Sequence, residues 1–222
     1  MIRRTFAAIA LAAVLLSLPS VARAQSLPPP NRSEAWGAVS TVSMLVGFGT
    51  QLVMPRIYES DIETTIGWKA RWHASVLAPT MTLVALAMFN ELFVRPAITS
   101  YLPGCGPSNA GVPGCTSFGM PSTYTFVAFS ALGHGAAVLA VDSLKWSGGQ
   151  VNTGAAVGDV AIPLVASVFT LLGRVAGSPA YERGDQAFVG GGVGLVAGLV
   201  TGAVYAVLQR PECGYGDGIV CW

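Results

Sequence analysis

Charge is what this sequence has least of. Of 222 residues, 12 are Lys or Arg and 11 are Asp or Glu, so 10% are charged, against about 25% in a soluble domain. A chain so poor in charge has too little polar surface to coat a globule in water. No basic run of the kind that nucleic acid selects is present, and no nucleic-acid partner is expected. Histidine is scarce, with two in the chain. The four cysteines, Cys105, Cys115, Cys213 and Cys221, have no histidine beside them, which argues against a metal site. GxSxG, P-loop and HExxH patterns are missing, and no cofactor fingerprint is found.

What is present is apolar. Hydrophobic residues make up 52%, and mean hydropathy is +0.58. Residues 1–24 read as a signal peptide. Arg3 and Arg4 open it, Phe6 to Leu18 is its apolar stretch, and Val21-Ala22-Arg23-Ala24 ends in a small-x-small cleavage site. A short linker, 25–34, contains Pro28-Pro29-Pro30. Five apolar segments follow, from about Ala35 to Pro55, Trp68 to Val94, Pro121 to Leu144, Ala155 to Gly173 and Gln186 to Leu208. Each is near the roughly 20 residues needed to cross hydrocarbon. Their continuous apolarity, without period-2 alternation, predicts helices rather than a barrel. The expected fold is an all-α membrane bundle over residues 35–210, with a tail over 211–222. In the fifth segment Gly194, Gly198 and Gly202 recur every fourth residue and share one face, which permits close helix contact.

Cleavage after Ala24 places the mature N-terminus outside, and the ends of the segments then alternate. Arg56, Lys69, Arg71, Lys145 and Arg210 fall inside; Arg32, Arg95, Arg174 and Arg183 fall outside. The positive-inside bias is weak, so the outer arginines need a reason to be there. Cys105 and Cys115 flank a Gly- and Pro-rich outer loop, where a disulfide is plausible in an oxidising compartment. Cys213 and Cys221 look like a second pair, yet this topology places them inside: either they are free or one span is miscounted. A signal peptide with apolar helices suits a bacterial inner membrane.

Three outer helix ends carry the polar chemistry. Arg95-Pro96 closes the second segment, Pro121-Ser122-Thr123 opens the third, and Gly173-Arg174 closes the fourth, followed by Tyr181, Glu182, Arg183 and Asp185. Two guanidiniums offer bidentate donors to phosphate. A helix starting at Ser122 and Thr123 offers free N–H groups to the same anion. Glu91, four residues before Arg95, is placed to pair with it.

In order and placement these residues resemble the type 2 phosphatidic acid phosphatase (PAP2) superfamily of integral membrane lipid phosphatases. That family carries K-x6-R-P, then P-S-G-H, then S-R-x5-H-x3-D. Here the first motif reads from Met88 to Arg95-Pro96, with Met88 in place of Lys. The second reads Pro121-Ser122-Thr123-Tyr124, with Thr123 for Gly and Tyr124 for His. The third reads Gly173-Arg174, with Asp185 one residue late. The nucleophile position is Ala180 counted from the Arg, or Tyr181 counted from the Asp. The resemblance implies a clamp for phosphoryl oxygens at Arg95, Ser122, Thr123 and Arg174, and a lipid phosphate as ligand. In the family one His attacks phosphorus, the Asp orients it, and the other His protonates the leaving alkoxide. Both are missing here, so phosphoryl transfer by that route lacks its activated nucleophile. Tyr124 and Tyr181 are the candidates to replace them, with Asp185 standing for the family's Asp, although a tyrosine of ordinary pKa, about 10, is weakly nucleophilic at neutral pH. His134 lies roughly 15 Å along the helix from Tyr124, and His73 falls at the inner end. Three readings follow: a phosphate-binding relative without full catalysis, a phosphatase using unusual residues, and a structural or partner-binding membrane protein with no anion site.

Overall fold

The computed structural model describes residues 34–53, 74–98, 119–146, 148–151, 153–176 and 180–208. The expected signal peptide over 1–24, the linker residues before Glu34, the four cysteines and the tail over 211–222 lie outside these residues. Among the described residues the fold is all-helical.

Helix α1 spans Glu34–Val53. Helix α2 spans Ala74–Phe89 and runs on through a wide π turn, Asn90–Val94, into Arg95–Ala97. Helix α3 spans Thr123–Val141 and ends in another π turn, Asp142–Trp146. Helix α4 starts at Thr153–Ala155, widens over Ala156–Ala161 and continues as Ile162–Val175. Helix α5 spans Gly184–Leu208. Two of the wide turns precede a proline, Pro96 and Pro163, and share one cause. Proline has no N–H and its ring crowds the carbonyl four residues back. Where the turn widens, the residue before each proline bonds instead to a carbonyl five residues back: Arg95 N–H donates to Asn90 O, and Ile162 N–H to Val157 O.

Among the described residues, three helices are long and apolar enough to cross a membrane: Thr123–Lys145, Thr153–Val175 and Gly184–Val207. Helices α4 and α5 also turn large apolar side chains outward, among them Val165, Phe169, Phe188, Val196 and Val200. Water does not favour such faces; hydrocarbon does. The hydroxyls of α1 are satisfied within the helix, Ser40 and Thr41 donating to Gly37 O and Thr50 to Gly47 O.

Helix α3 is the centre of the bundle and α5 lies parallel to it. Their seam is a glycine ladder in four-residue steps. A Cβ added at Gly190, Gly194, Gly198 or Gly202 would stand 2.4, 2.2, 2.1 or 2.5 Å from the carbonyl oxygens of Ser122, Phe126, Ser130 and His134 respectively. Only hydrogen fits there, so the two backbones touch. The three glycines picked out in the sequence are therefore seam residues, and Gly190 extends the series. Helix α1 packs antiparallel to α4, with Gly173 against Ser40 and the Trp36 carbonyl, and Gly47 against Ala166. These pairings gather one end of every helix together: the starts of α1, α3 and α5 and the finishes of α2 and α4.

Candidate functional site

The shared end holds a buried polar cluster. Arg95 comes from the finish of α2, Arg174 from the last turn of α4, Ser122 from the N-cap of α3, and Glu182 from the connection into α5. All four are nearly sealed, with Glu182 2% and Arg174 3% exposed. Arg174 Nη2 donates to Glu182 Oε1 at 2.9 Å, and Arg95 Nη2 approaches the same oxygen at 3.6 Å. The Ser122 hydroxyl lies beside this carboxylate, without a hydrogen bond of normal geometry. Arg95 is held further by Glu91, whose two oxygens accept from its Nη1 at 3.2 and 3.0 Å, and its Nε donates to Gly119 O at 3.3 Å. The pairing expected of Glu91 is thus present.

Thr123 ties α3 to α2. Its hydroxyl donates to Glu91 Oε2 and accepts from Asn90 Nδ2 at 3.0 Å. On the far side Gln186 locks the entry to α5: its carbonyl accepts from Ser122 N–H, and its side chain accepts from Arg183 N–H at 2.9 Å. The connection is closed by Glu182 N–H donating to Arg174 O at 3.0 Å.

Electrostatics explain why charges collect at this end. The finishes of α2 and α4 are negative dipole ends and carry the arginines; the starts of α3 and α5 are positive ends and flank Glu182. Burial opposes the charge on Glu182, but Arg174, with Arg95 and Ser122 adding to it, more than offsets this and holds the carboxyl below the ordinary carboxylate range. Two arginines and two glutamates leave the cluster formally neutral.

The rings of Tyr124 and Tyr181 cover Arg174. The Arg174 guanidinium sits 4.1 Å from the Tyr124 ring centroid and 5.1 Å from that of Tyr181, an arrangement favourable to the cation. The Tyr181 hydroxyl packs on α1, where a Cβ on Gly37 would lie 2.5 Å from it. Asp185 does not join the cluster; it pairs with Arg183 at 3.0 Å on the surface, both about half exposed. Of the residues singled out in the sequence, the structure thus brings together Arg95, Ser122, Thr123, Tyr124, Arg174 and Tyr181, and leaves Asp185 outside.

Met88, at the position of the family's Lys, points outward, 46% exposed. The wide turn is the reason. Thr80, Leu83 and Asn90 are buried at helical spacing, and the next buried residue in register, Arg95, comes five residues on rather than three or four. Asn90, not Met88, therefore shares the inner face with Arg95.

Glu182, named in the sequence among the polar residues after Arg174 but given no role, and Gln186, not singled out there, are the further residues of this cluster. An acidic residue eight positions after an expected phosphate-clamp arginine was the signal available for Glu182. His134 is buried on α3 against the α5 seam, three turns from Ser122, and Asp159 is buried on the wide turn of α4, its carbonyl against Gly135. Neither reaches the cluster. An apolar groove of about 370 Å³ lies between α1 and α4, lined by Val42, Val46, Ile162, Val165 and Phe169 among others. No family model, curated protein or solved structure matches the chain.

Proposed function

We propose that this is a PAP2-like integral membrane protein with a site for the phosphate group of a lipid at its outer face, and without the means to hydrolyse it. One observation carries the reading. Two arginines from different helices converge on a single carboxylate beside the Ser122 hydroxyl, so an anion already sits where the resemblance puts phosphoryl oxygens. The positive dipole ends at the starts of α3 and α5 favour negative charge at that point. Hydrolysis is disfavoured by the absence of histidine from the cluster among the described residues, by tyrosine rings engaged with Arg174, and by the outward position of Asp185. On this reading α1 and α2 also cross the bilayer, giving five spans. Residues 1–24 direct export, and the cluster faces the periplasm from a bacterial inner membrane.

The neutrality of the cluster supports a second reading. Glu91 and Glu182 balance both arginines, so the cluster also works as a self-contained ionic lock that fixes the helix ends and binds nothing. Calorimetry with a short-chain phosphatidate in nonionic micelles separates the two. The first reading expects saturable binding, weakened about tenfold or more by Arg95→Ala or Arg174→Ala, with no phosphate released. No binding by the intact protein leaves the lock; vanadate-sensitive phosphate release makes the protein a working phosphatase.

A further inference from the structure

Two buried atoms of the cluster are left over. Among the described residues, Arg174 Nε finds no acceptor and Glu182 Oε2 no donor. One is a donor and the other an acceptor, on side chains already joined through Nη2 and Oε1. A group that satisfied both would accept from a guanidinium and donate to a carboxylate. A fully ionised anion cannot, because it meets the Glu182 oxygen lone pair to lone pair. An anion that still carries a proton can.

We propose that the site selects a phosphate monoester in its singly protonated form over sulfate esters and phosphodiesters. The P–OH donates to Glu182 Oε2 and a P–O⁻ oxygen accepts from Arg174 Nε; the proton stays on the phosphate and no bond is broken. This rests on the phosphate-binding reading above and adds the selectivity. A sulfate ester matches the ligand in size and charge but has no proton to give, and a phosphodiester lacks one as well. Glu182 then serves as the acceptor that distinguishes them. Glu91 at the edge of the cluster has a side chain 26% exposed, and in this proposal the ligand enters from that side.

The groups that face Glu182 and Arg174 are Glu91 and Arg95 from α2, Ser122 and Tyr124 from α3, and Tyr181 from the connection before α5. None is histidine, the side chain whose ordinary pKa falls between pH 5 and 8. A phosphate monoester loses its second proton near pH 6, so over that interval the ligand titrates.

The test uses the full-length chain in nonionic micelles with hexadecyl phosphate and hexadecyl sulfate as matched probes, at about pH 5.5 and about pH 8. The wild type is expected to bind the phosphate about tenfold or more tighter than the sulfate at the lower pH, the ratio falling toward one at the higher. Glu182→Gln, whose amide both donates and accepts, brings the ratio within about threefold at both. Equal binding of the two probes by the wild type at low pH, as when only water occupies the leftover atoms, overturns the selectivity and leaves the anion site standing. A ratio unchanged in Glu182→Gln overturns it as well. Failure of the wild type to bind either probe removes the phosphate-binding reading itself. Should Glu182→Gln not yield a monodisperse protein, the pH series on the wild type decides alone.

Discussion

The α3–α5 seam and the cluster at its upper end hold the same helices by opposite means. Along the seam, glycines let backbone meet backbone, and nothing there is charged. At the cluster, side chains that carry full charges join the finishes of α2 and α4 to the connection before α5. The seam depends on volume alone, and the cluster on the balance of partners. A methyl group should ruin the first and spare the second; loss of one charge should do the reverse.

The largest effect is expected at the seam. Gly198→Val asks for a side chain where the first carbon alone would lie 2.1 Å from Ser130 O. The helices must part, at a cost of about 3 kcal/mol or more, and loss of the monodisperse peak in detergent would register it. Gly192 is the control on the same helix: nothing lies within 4 Å of a Cβ there. Gly192→Ala should leave stability unchanged or raise it slightly, by helix propensity. Equal damage at both positions would break the comparison.

Next in size is the cluster. Arg174→Ala leaves Glu182 buried without its nearest partner, and the expected loss is about 3–5 kcal/mol. Arg174→Met combined with Glu182→Leu removes both members of the pair and should cost less than Arg174→Ala alone, a coupling that thermal unfolding in detergent would measure. Acid sharpens the contrast with the seam. Because the folded protein holds Glu182 below the ordinary carboxylate range, its contribution is full above the unfolded value, about pH 4.3, and is lost as pH falls through the depressed folded one. The melting temperature of the wild type should drop there, and that of Glu182→Gln should drop less.

The smallest effect belongs to Asp185→Asn. Its partner Arg183 is exposed, and surface pairs of this kind contribute about 0–1 kcal/mol. A large loss of stability or of anion binding would return Asp185 to the site and undo the division drawn here.

Much of this was legible in the chain. Apolar run lengths located the five helices to within a few residues where the structure describes them, because a long continuous apolar run without period-2 alternation favours helix over strand. The four-residue recurrence of glycine marked the seam. The convergence of Arg95, Ser122 and Arg174 followed from alternating helix direction, which puts every second helix end on one side. What stayed hidden depends on rotation rather than length. Counting seven residues back from Arg95 reaches Met88, but a wide turn intervenes and Met88 faces out. Glu182 was hidden for another reason: it sits in a connection, where no periodicity says which way a side chain turns. Both prolines, Pro96 and Pro163, were visible, and their demand for a wider turn was the available clue.

The wide turn before Pro96 has one more consequence. On a uniform α-helix, residues five apart stand about 140° from one another around the axis, so Asn90 and Arg95 would look in different directions. The extra residue acts as a phase shifter, keeping the lower part of α2 in step with the bundle while its tip is re-aimed at the cluster. Deleting one residue between Asn90 and Arg95 would shorten the chain hardly at all, yet it would swing the guanidinium away from Glu182. Sequence comparison would score such a change as a minor gap; in this molecule it moves a charge.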